Sequence, residues 1–271
     1  MKKLVILCLL AVGLLCSCSS RYLVQGPQGG IAAKMRLPKG FNPETDSVEM
    51  VVLMHGIFAS KDFLPMPKIA RELKRQGIAT VAIDFGGHGQ SQGKKVNMTI
   101  PKELAEARAV YDYVSALPYV SKVSLLGHSQ GGVIASMLAG ELAQEGKAPN
   151  RLVLLAPGSV IKEACEGGRF FGNVFNPQNP PAFIRCFGFY KVGRDYMLTS
   201  QQLDIYGTSA HYQGPVCLIH GTEDHIVPLW CSEKYHEVYS NSQLHLIKGE
   251  AHTMHKHLDQ TVEVICHFFK Q

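Results

Sequence analysis

The sequence predicts an α/β fold in which helices cover both faces of a mostly parallel sheet. Apolar runs of strand length, such as 48–54 and 78–83, are nearly continuous, as is typical of buried parallel strands. Helix-length segments such as 101–117 alternate with them, and this rhythm predicts βαβ units. The chain has 271 residues, 46% of them hydrophobic, which is enough for one domain with a sizeable core.

Each remaining element follows from the same patterns, taken in chain order. Further strands are predicted at 31–37, from 120 onward, and at 151–156, 215–221 and 243–247. Further helices are predicted at 64–75, 133–139, 229–239 and 257–269. Together these segments predict a single folded domain over residues 31–271.

The alternation of strands and helices stops at Pro157 and resumes only at Pro215. The stretch 158–213 is rich in aromatic residues, Asn, Pro and Gly. A structureless loop of this length is improbable inside a compact domain. We therefore predict a lid subdomain inserted at 158–213.

The N-terminus reads as an export signal. Two lysines precede an apolar run from Leu4 to Leu15, which is short for a membrane span. The Cys-Ser-Cys that follows predicts a bacterial lipoprotein signal peptide over 1–17, with lipidation at Cys18 and a tether over 18–30. Cys16 is disfavoured as the lipid acceptor because the bulky Leu15 precedes it. A plain secretory signal is the alternative, and either one predicts an exported protein, lipid-anchored to a periplasmic or cell-surface membrane in the first case.

Charge and cysteine content exclude some classes of function. The net charge is +5, or +3 without Lys2 and Lys3, and no basic cluster stands out, so nucleic-acid binding is not indicated. Five cysteines follow the signal region, an odd number that disfavours a full disulfide framework. Cys165 and Cys186 both fall in the predicted lid, where an exported protein could join them.

The predicted strand from 120 runs into Gly127-His128-Ser129-Gln130-Gly131, and a predicted helix follows. This is the pattern of a nucleophile elbow, in which a strand leads through a tight turn, with a serine between two glycines, into a helix. Glycines on either side of Ser129 allow strand and helix to approach closely. The helix N-terminus favours negative charge that develops beside the serine oxygen.

A serine nucleophile needs a base, and the base needs a carboxylate to orient it. In this architecture the chain order is Ser, then Asp or Glu, then His. Asp224 follows the strand 215–221 and His252 follows the strand 243–247, so both fall at carboxyl ends of parallel strands. We predict Ser129, Asp224 and His252 as the catalytic triad.

Rival residues fit this pattern less well. Glu223 would point away from the site, Asp259 breaks the chain order, and Asp195 and Asp204 belong to the lid. The histidines His128, His255 and His257 are assigned structural or solvent-facing positions. His252, His255 and His257 have loose spacing for a metal site, with no supporting cysteine or carboxylate cluster, so no metal is predicted.

Developing negative charge on a substrate oxygen requires two backbone N–H groups. One should come from Gln130, the residue after the serine. The other should come from the loop after the strand that ends in His55-Gly56, and we predict Ile57.

The motifs together resemble the α/β-hydrolase superfamily of serine esterases, and within it the bacterial feruloyl (cinnamoyl) esterases. The resemblance rests on 55–58, on Asp84-x-x-Gly87-His88-Gly89-x-Ser91, on 127–132, and on the segments 215–228 and 244–252. It implies an inserted lid between the sixth and seventh core strands and no cofactor. It also implies small ester substrates, such as hydroxycinnamate esters of plant oligosaccharides.

Other functions stay open from the sequence. A monoacylglycerol- or lysophospholipid-type lipase or a short-chain acyl esterase would use the same triad, and the motifs alone leave a peptidase open as well. A non-catalytic, surface-anchored binding module belongs to a different class, and the intact Ser129, Asp224 and His252 disfavour it. Serine at the elbow also disfavours dehalogenase and epoxide-hydrolase chemistry, for which this superfamily uses Asp at that position.

Overall fold

The computed structural model describes residues 20–27 and 29–271, which form an eight-stranded sheet with helices on both faces. The strands are β1 (Ser20–Gly26), β2 (Gly29–Arg36), β3 (Val48–Met54), β4 (Ala79–Ile83), β5 (Val120–His128), β6 (Leu152–Leu155), β7 (Arg169–Phe170), β8 (Asn173–Val174), β9 (Phe183–Cys186), β10 (Tyr190–Gly193), β11 (Val216–Gly221) and β12 (Ser242–Ile247). The main sheet has the order β1-β2-β4-β3-β5-β6-β11-β12. The first two pairings are antiparallel and the remaining five are parallel.

The helices are α1 (Met66–Arg75), α2 (Ile100–Ser115), α3 (Gln130–Gln144), α4 (Ile161–Glu166), α5 (Arg194–Ser200), α6 (Ile205–Ser209), α7 (Trp230–Val238) and α8 (Leu258–Phe268). Alternate residues of β3 show how the two layers form. Met50 and Val52 pack in the core under α2, α3 and α7, whereas Val51 and Leu53 pack in the core under α1 and α8. The predicted α/β class with a mostly parallel, doubly covered sheet is confirmed.

The N-terminal part differs from the predicted tether. Residues 20–26 form β1, which pairs with β2 over seven positions. This pairing occupies the edge of β2 that would otherwise leave unpaired backbone groups exposed. The predicted signal peptide (1–17) and Cys18 lie outside the described residues. Within the described part of the chain, no helix is long and apolar enough to span a bilayer.

The segment 158–213 is an ordered insertion and lies after the sixth strand. It contains α4, α5, α6 and two small antiparallel sheets, β7–β8 and β9–β10. Ile184, Val192 and Tyr196 join the same core that lies under α2 and α3. Its two cysteines, Cys165 and Cys186, are buried free thiols, so the structure differs from the pairing suggested for them. That the insertion opens and closes as a lid remains a prediction.

Candidate active site

Ser129 occupies the turn between β5 and α3 with a backbone conformation that side chains rarely adopt. Its φ is 56° and its ψ is −120°. A Cβ on Gly127 would overlap the backbone of Gly131, and a Cβ on Gly131 would overlap the carbonyl oxygen of Met54. The two glycines therefore allow the sharp turn that the elbow pattern predicts.

The structure brings Ser129, His252 and Asp224 together from three separate loops. Ser129 Oγ lies 2.9 Å from His252 Nε2, and His252 Nδ1 lies 2.7 Å from Asp224 Oδ2. The other oxygen of Asp224 accepts hydrogen bonds of 2.9 Å from the backbone N–H groups of Ile226 and Val227. If Nδ1 carries the proton that Asp224 accepts, Nε2 is free to accept the serine proton.

The electrostatics of the carboxylate suit this arrangement. Burial raises the pKa of Asp224, but the hydrogen bond with His252 and those from the backbone of Val227 and Ile226 outweigh burial, so its pKa is below the ordinary value. An ionised Asp224 can stabilise the positive charge that His252 acquires when it takes a proton.

Two further histidines support the triad: His128, for which the sequence predicts a structural position, and His220, whose role was not predicted. His220 Nε2 lies 3.0 Å from the carbonyl oxygen of Val227 and 3.4 Å from Asp224 Oδ2. His128 Nε2 lies 2.8 Å from the carbonyl oxygen of His252. Burial lowers the pKa of both rings, that of His128 to about 3, so both stay neutral and bridge the loops by hydrogen bonds.

Glu250 organises the loop that carries His252, and sequence reasoning missed it. Its fully buried carboxylate accepts hydrogen bonds from the backbone N–H groups of Ala251, Lys256 and His257. Glutamate is seldom fully buried without partners, and these three donors satisfy it. The sequence holds no separate pattern that would reveal this role, because the donors belong to the loop backbone.

The N–H groups predicted for the oxyanion hole, those of Ile57 and Gln130, have no protein partner among the described residues. The loop that carries Ile57 is fixed by His55, whose Nε2 accepts from the N–H of Phe85 and whose Nδ1 lies 2.8 Å from the carbonyl oxygen of Gly56. Burial lowers the pKa of His55 to about 4, so this bridging ring is neutral.

The Asp84 motif that carries part of the family resemblance is structural. The buried carboxylate of Asp84 binds Lys61 Nζ at 2.7 Å and accepts from the backbone N–H groups of Lys61 and Gln90. Ser91 Oγ donates to the carbonyl oxygen of Asp84, and a Cβ on Gly89 would overlap the Asp84 carboxylate. These contacts hold the loop after β4 against the loop that carries Ile57.

A buried polar network lies behind Gln130. Its side-chain amide donates to Glu103 and accepts from the hydroxyl of Tyr196 in α5 at 2.7 Å. Burial raises the pKa of Glu103 to about 8, and the remaining oxygen of its carboxyl group has no hydrogen-bond partner in the described chain. Nitrogen Nδ1 of His88 is 3.9 Å from that oxygen. The network ties the residue after Ser129 to the insertion.

A cavity of about 330 Å³ opens beside Ser129 between the sheet edge and the insertion. Its lining is mainly apolar: Ile57, Ser129, Gly158, Val160, Ile161, Ala164, Phe170, Phe171, Phe187, His225, Ile226 and Val227. Phe58 has a φ of 63° and stacks on Tyr190 of the insertion with ring centroids 4.4 Å apart. Aromatic contacts therefore join the loop that carries Ile57 to the insertion.

The rival carboxylates lie in other contacts. Asp259 forms an ion pair with Lys68, Asp204 accepts from the N–H of Gly207, and Glu223 is 3.7 Å from His225. Asp195 is exposed at the start of α5.

Of the three histidines with loose metal-site spacing, His252 makes the contacts with Ser129 and Asp224 described above. His257 occupies the N-cap position of α8, and its side chain forms no capping hydrogen bond there. Among residues 20–27 and 29–271, no three His, Cys, Asp or Glu side chains form a group that could hold a metal ion.

The sequence model of the serine aminopeptidase S33 family of hydrolases matches residues 45–178, which include the elbow. The solved structure of Est1E from Butyrivibrio proteoclasticus with bound ferulic acid is 27% identical and has a TM-score of 0.86. The match covers 92% of this chain and 97% of Est1E. Together with the fold and the elbow geometry, these similarities support a serine esterase of the α/β-hydrolase superfamily.

Curated relatives of this α/β-hydrolase come from vertebrates as well. Protein ABHD12B of Homo sapiens is 24% identical over 73% of the chain and 51% of its own length. The lysophosphatidylserine lipase ABHD12 of Danio rerio is 22% identical over 72% of the chain and 48% of its own length. The α/β-hydrolase chain thus spans about half the length of these two relatives.

Proposed function

We propose that this serine esterase cleaves carboxylic esters through an acyl intermediate on Ser129, and that its substrates are esters of hydroxycinnamic acids. The observation that carries the proposal is the aromatic cavity that adjoins a hydrogen-bonded Ser129, His252 and Asp224.

The first half of the reaction forms the acyl intermediate. Ser129 Oγ attacks the carbonyl carbon of the ester while His252 Nε2 takes its proton. The carbonyl oxygen becomes negative and accepts hydrogen bonds from the N–H groups of Ile57 and Gln130. When the intermediate collapses, the C–O bond to the alcohol breaks, and protonated His252 gives its proton to the leaving oxygen.

The second half releases the acid. Water replaces the alcohol, His252 takes a proton from it, and the resulting hydroxide attacks the acyl carbon on Ser129. Collapse returns the proton to Ser129 Oγ and frees the carboxylic acid. Asp224 stays ionised and holds His252 in one orientation throughout. The proposed steps need no metal and no cofactor.

The shape of the cavity supports an aromatic acyl group. Its volume of about 330 Å³ is near the small end of ligand sites. Phe170, Phe171 and Phe187 supply flat walls, and rings prefer stacked or edge contacts with other rings. The similar Est1E structure contains ferulic acid, which is such a group. Esters with plant oligosaccharides place the sugar outside this cavity.

An ester panel with the Ser129→Ala variant as the blank tests the proposal. We expect the wild-type protein to hydrolyse methyl ferulate and methyl p-coumarate with a higher kcat/KM than p-nitrophenyl acetate or p-nitrophenyl decanoate. The variant should lose activity on every ester. Retained turnover in purified Ser129→Ala protein contradicts the assignment of the nucleophile, and no serine-dependent activity at all would favour a non-catalytic binding module.

A lipase that acts on monoacylglycerols or lysophospholipids is the second candidate. Its support is the similarity to the lysophosphatidylserine lipase of Danio rerio and the aliphatic part of the cavity wall, which includes Val160, Ile161 and Ile226. Preference for p-nitrophenyl decanoate and a monoacylglycerol over the hydroxycinnamates would select this candidate. Activity confined to the acetate would indicate a short-chain esterase.

The proposal includes an exported location with a lipid anchor at Cys18. The supporting pattern is a short apolar run followed by Ser17-Cys18-Ser19. We expect the Cys18→Ala variant to move from the membrane fraction to the soluble fraction of the producing bacterium. Unchanged membrane association contradicts an anchor at this residue and leaves the proposed chemistry untouched.

A further inference from the structure

The exposed face of the β9–β10 hairpin combines aromatic rings with cations, and of these residues only Phe187 also lines the proposed acyl cavity. Phe187 and Phe189 lie at its turn and are 60% and 67% exposed. Phe183, Arg185 and Lys191 are exposed on its strands. We call these five residues the hairpin surface. Large exposed rings that cluster beside cations indicate a contact surface.

The segment of chain that contains this hairpin carries charge of only one sign. Residues 167–194 contain no Asp or Glu, and acidic residues return only at Glu166 and Asp195. The stretch has four basic residues, all exposed: Arg169, Arg185, Lys191 and Arg194. None of the four forms an ion pair with any described residue. The surface is therefore complementary to an anion.

Within the hairpin, two cations face each other directly. Lys191 pairs with Arg185 across the strands, and like charges in this position repel. Both lie over the ring of Phe183, with centroid distances of 4.5 Å for Lys191 and 5.5 Å for Arg185. The ring attracts both cations but carries no net charge, so their repulsion is not neutralised within the hairpin.

The hairpin is fixed at the mouth of the cavity. The ring of Phe187 lies 5.3 Å from that of Phe171 and 6.2 Å from that of Phe58, measured between centroids. The surface thus has a defined position relative to Ser129, because Phe171 and Phe187 also line the cavity.

We propose that the hairpin surface docks onto an anionic phospholipid membrane, with Phe187 and Phe189 in the interface and Arg185 and Lys191 at the phosphates. Arg185 and Lys191 each lie two residues from a tip phenylalanine. At the rise of a strand this separation is about 7 Å, which matches the 5–10 Å depth of interfacial apolar groups. Phenylalanine is among the residues that interfacial segments bury at this level of a bilayer, and lipid phosphates attract cations beside it.

Docking in this manner orients the molecule. The mouth of the cavity then faces the headgroups, so an ester carried by an amphiphile reaches Ser129 from the interface. The proposal does not depend on which ester is cleaved, and Ser129→Ala protein should bind membranes as well as the wild type.

Vesicle sedimentation of the mature chain, which begins at residue 18, tests the proposal. All proteins carry Cys18→Ala, so that neither the apolar run 4–15 nor a lipid on Cys18 can mask the effect of the hairpin. The test variant combines Phe189→Ser, Arg185→Gln and Lys191→Gln. Against vesicles that contain phosphatidylglycerol, we expect a loss of at least roughly 30-fold in partitioning, the effect of two surface cations. Pure phosphatidylcholine vesicles should bind the parent protein more weakly.

A matched control removes the same types of side chain elsewhere. Leu246→Ser, Lys122→Gln and Lys270→Gln change one exposed apolar and two exposed basic residues far from the hairpin in sequence. The control should partition like the parent protein. Equal losses in both variants, or no loss in the hairpin variant, overturn the proposal. A hairpin variant that binds vesicles normally but loses affinity for soluble polygalacturonate would assign the surface to an acidic polysaccharide instead.

A fluorescence reporter keeps the test valid if the triple variant folds poorly. Trp230 is the only tryptophan and lies in α7, so Trp230→Phe with Phe189→Trp places a single indole at the tip. We expect a blue shift of emission with phosphatidylglycerol vesicles and quenching by brominated acyl chains. Unchanged emission in the presence of bound vesicles overturns the proposal, because the tip would then remain in water.

Discussion

Two regions meet at the cavity: the edge of the sheet formed by the carboxyl ends of its parallel strands, and the insertion. Different interactions hold the side chains of each region in place. At the sheet edge, Ser129, Asp224 and His252 lie at strand ends, where backbone geometry determines their positions. In the insertion, Phe171, Phe187 and Tyr190 are held by ring contacts within the short hairpins and with the loop that carries Ile57.

This difference separates chemistry from selectivity. Strand ends within one sheet are positioned to fractions of an ångström by the hydrogen-bond ladder, which is the precision that proton transfer requires. Ring contacts of about 1 kcal/mol each tolerate changes of shape. We therefore expect substitutions at the sheet edge to affect every ester, and substitutions in the insertion to affect esters selectively.

The largest effect is expected for Asp224→Asn. The amide keeps the shape but no longer stabilises a protonated His252 or selects its tautomer, so kcat should fall by about 10⁴-fold on all esters. Glu223→Gln is the matched control, because Glu223 is adjacent, exposed and outside the triad contacts. Steady-state kinetics on methyl ferulate and p-nitrophenyl acetate measure both variants. A selective loss on one ester would contradict the division between the two regions.

The sequence predicts the sheet edge better than it predicts the insertion, and the reason lies in how local the interactions of each region are. Local patterns such as Gly127-x-Ser129-x-Gly131 act within one turn, so the elbow and the strands around it could be located from spacing alone. Glu103, Glu250 and His220 could not be identified, because their partners are backbone groups or residues far away in sequence. The hairpins of the insertion were missed because their strands have two to four residues, too few for a periodic pattern.

The next effect concerns stability at the elbow. A Cβ in Gly131→Ala would overlap the backbone carbonyl oxygens of Met54 and His55, which have little freedom to move. We expect a loss of roughly 3 kcal/mol in the free energy of unfolding, measured by urea denaturation. Gly158→Ala is the control at the same site, because its Cβ would meet no atom closer than 3.4 Å. If both variants lost a similar free energy of unfolding, the close contact at Gly131 would not be the cause of the destabilisation.

A smaller and selective effect is expected for Phe187→Ala in the insertion. Loss of one cavity wall should raise KM for methyl ferulate by about tenfold, the value of one aromatic contact. The kcat/KM for p-nitrophenyl acetate should change less than twofold, since an acetyl group does not reach the ring. Phe189→Ala is the matched control, because that exposed ring does not line the cavity. An equal decrease in kcat/KM for both esters would mean that Phe187 affects the catalytic step and not only the binding of the aromatic acyl group.

The smallest effect on activity is expected for Glu103→Gln, which tests the network that joins the two regions. A glutamine can still accept from Gln130, so kcat near neutral pH should change less than about twofold. Burial raises the pKa of Glu103 from 4.5 to about 8 in the folded protein, which therefore holds a proton that the unfolded chain has released. The contribution of this group to stability is complete below pH 4.5 and is lost as pH rises through about 8.

The Glu103→Gln variant lacks this titration. Between pH 4.5 and 8, its free energy of unfolding should therefore fall less steeply with pH than that of the wild type. The two slopes should differ by at most about 1.4 kcal/mol per pH unit. Urea denaturation at several pH values measures the slopes. Glu106 and His88 also face Glu103 and remain in the variant. Glu163→Gln, on exposed surface of α4, should keep the wild-type slope. If the wild type and both variants showed the same dependence of unfolding free energy on pH, Glu103 would be ionised in the folded protein. The side chain of Gln130 would then donate its hydrogen bond to a charged carboxylate.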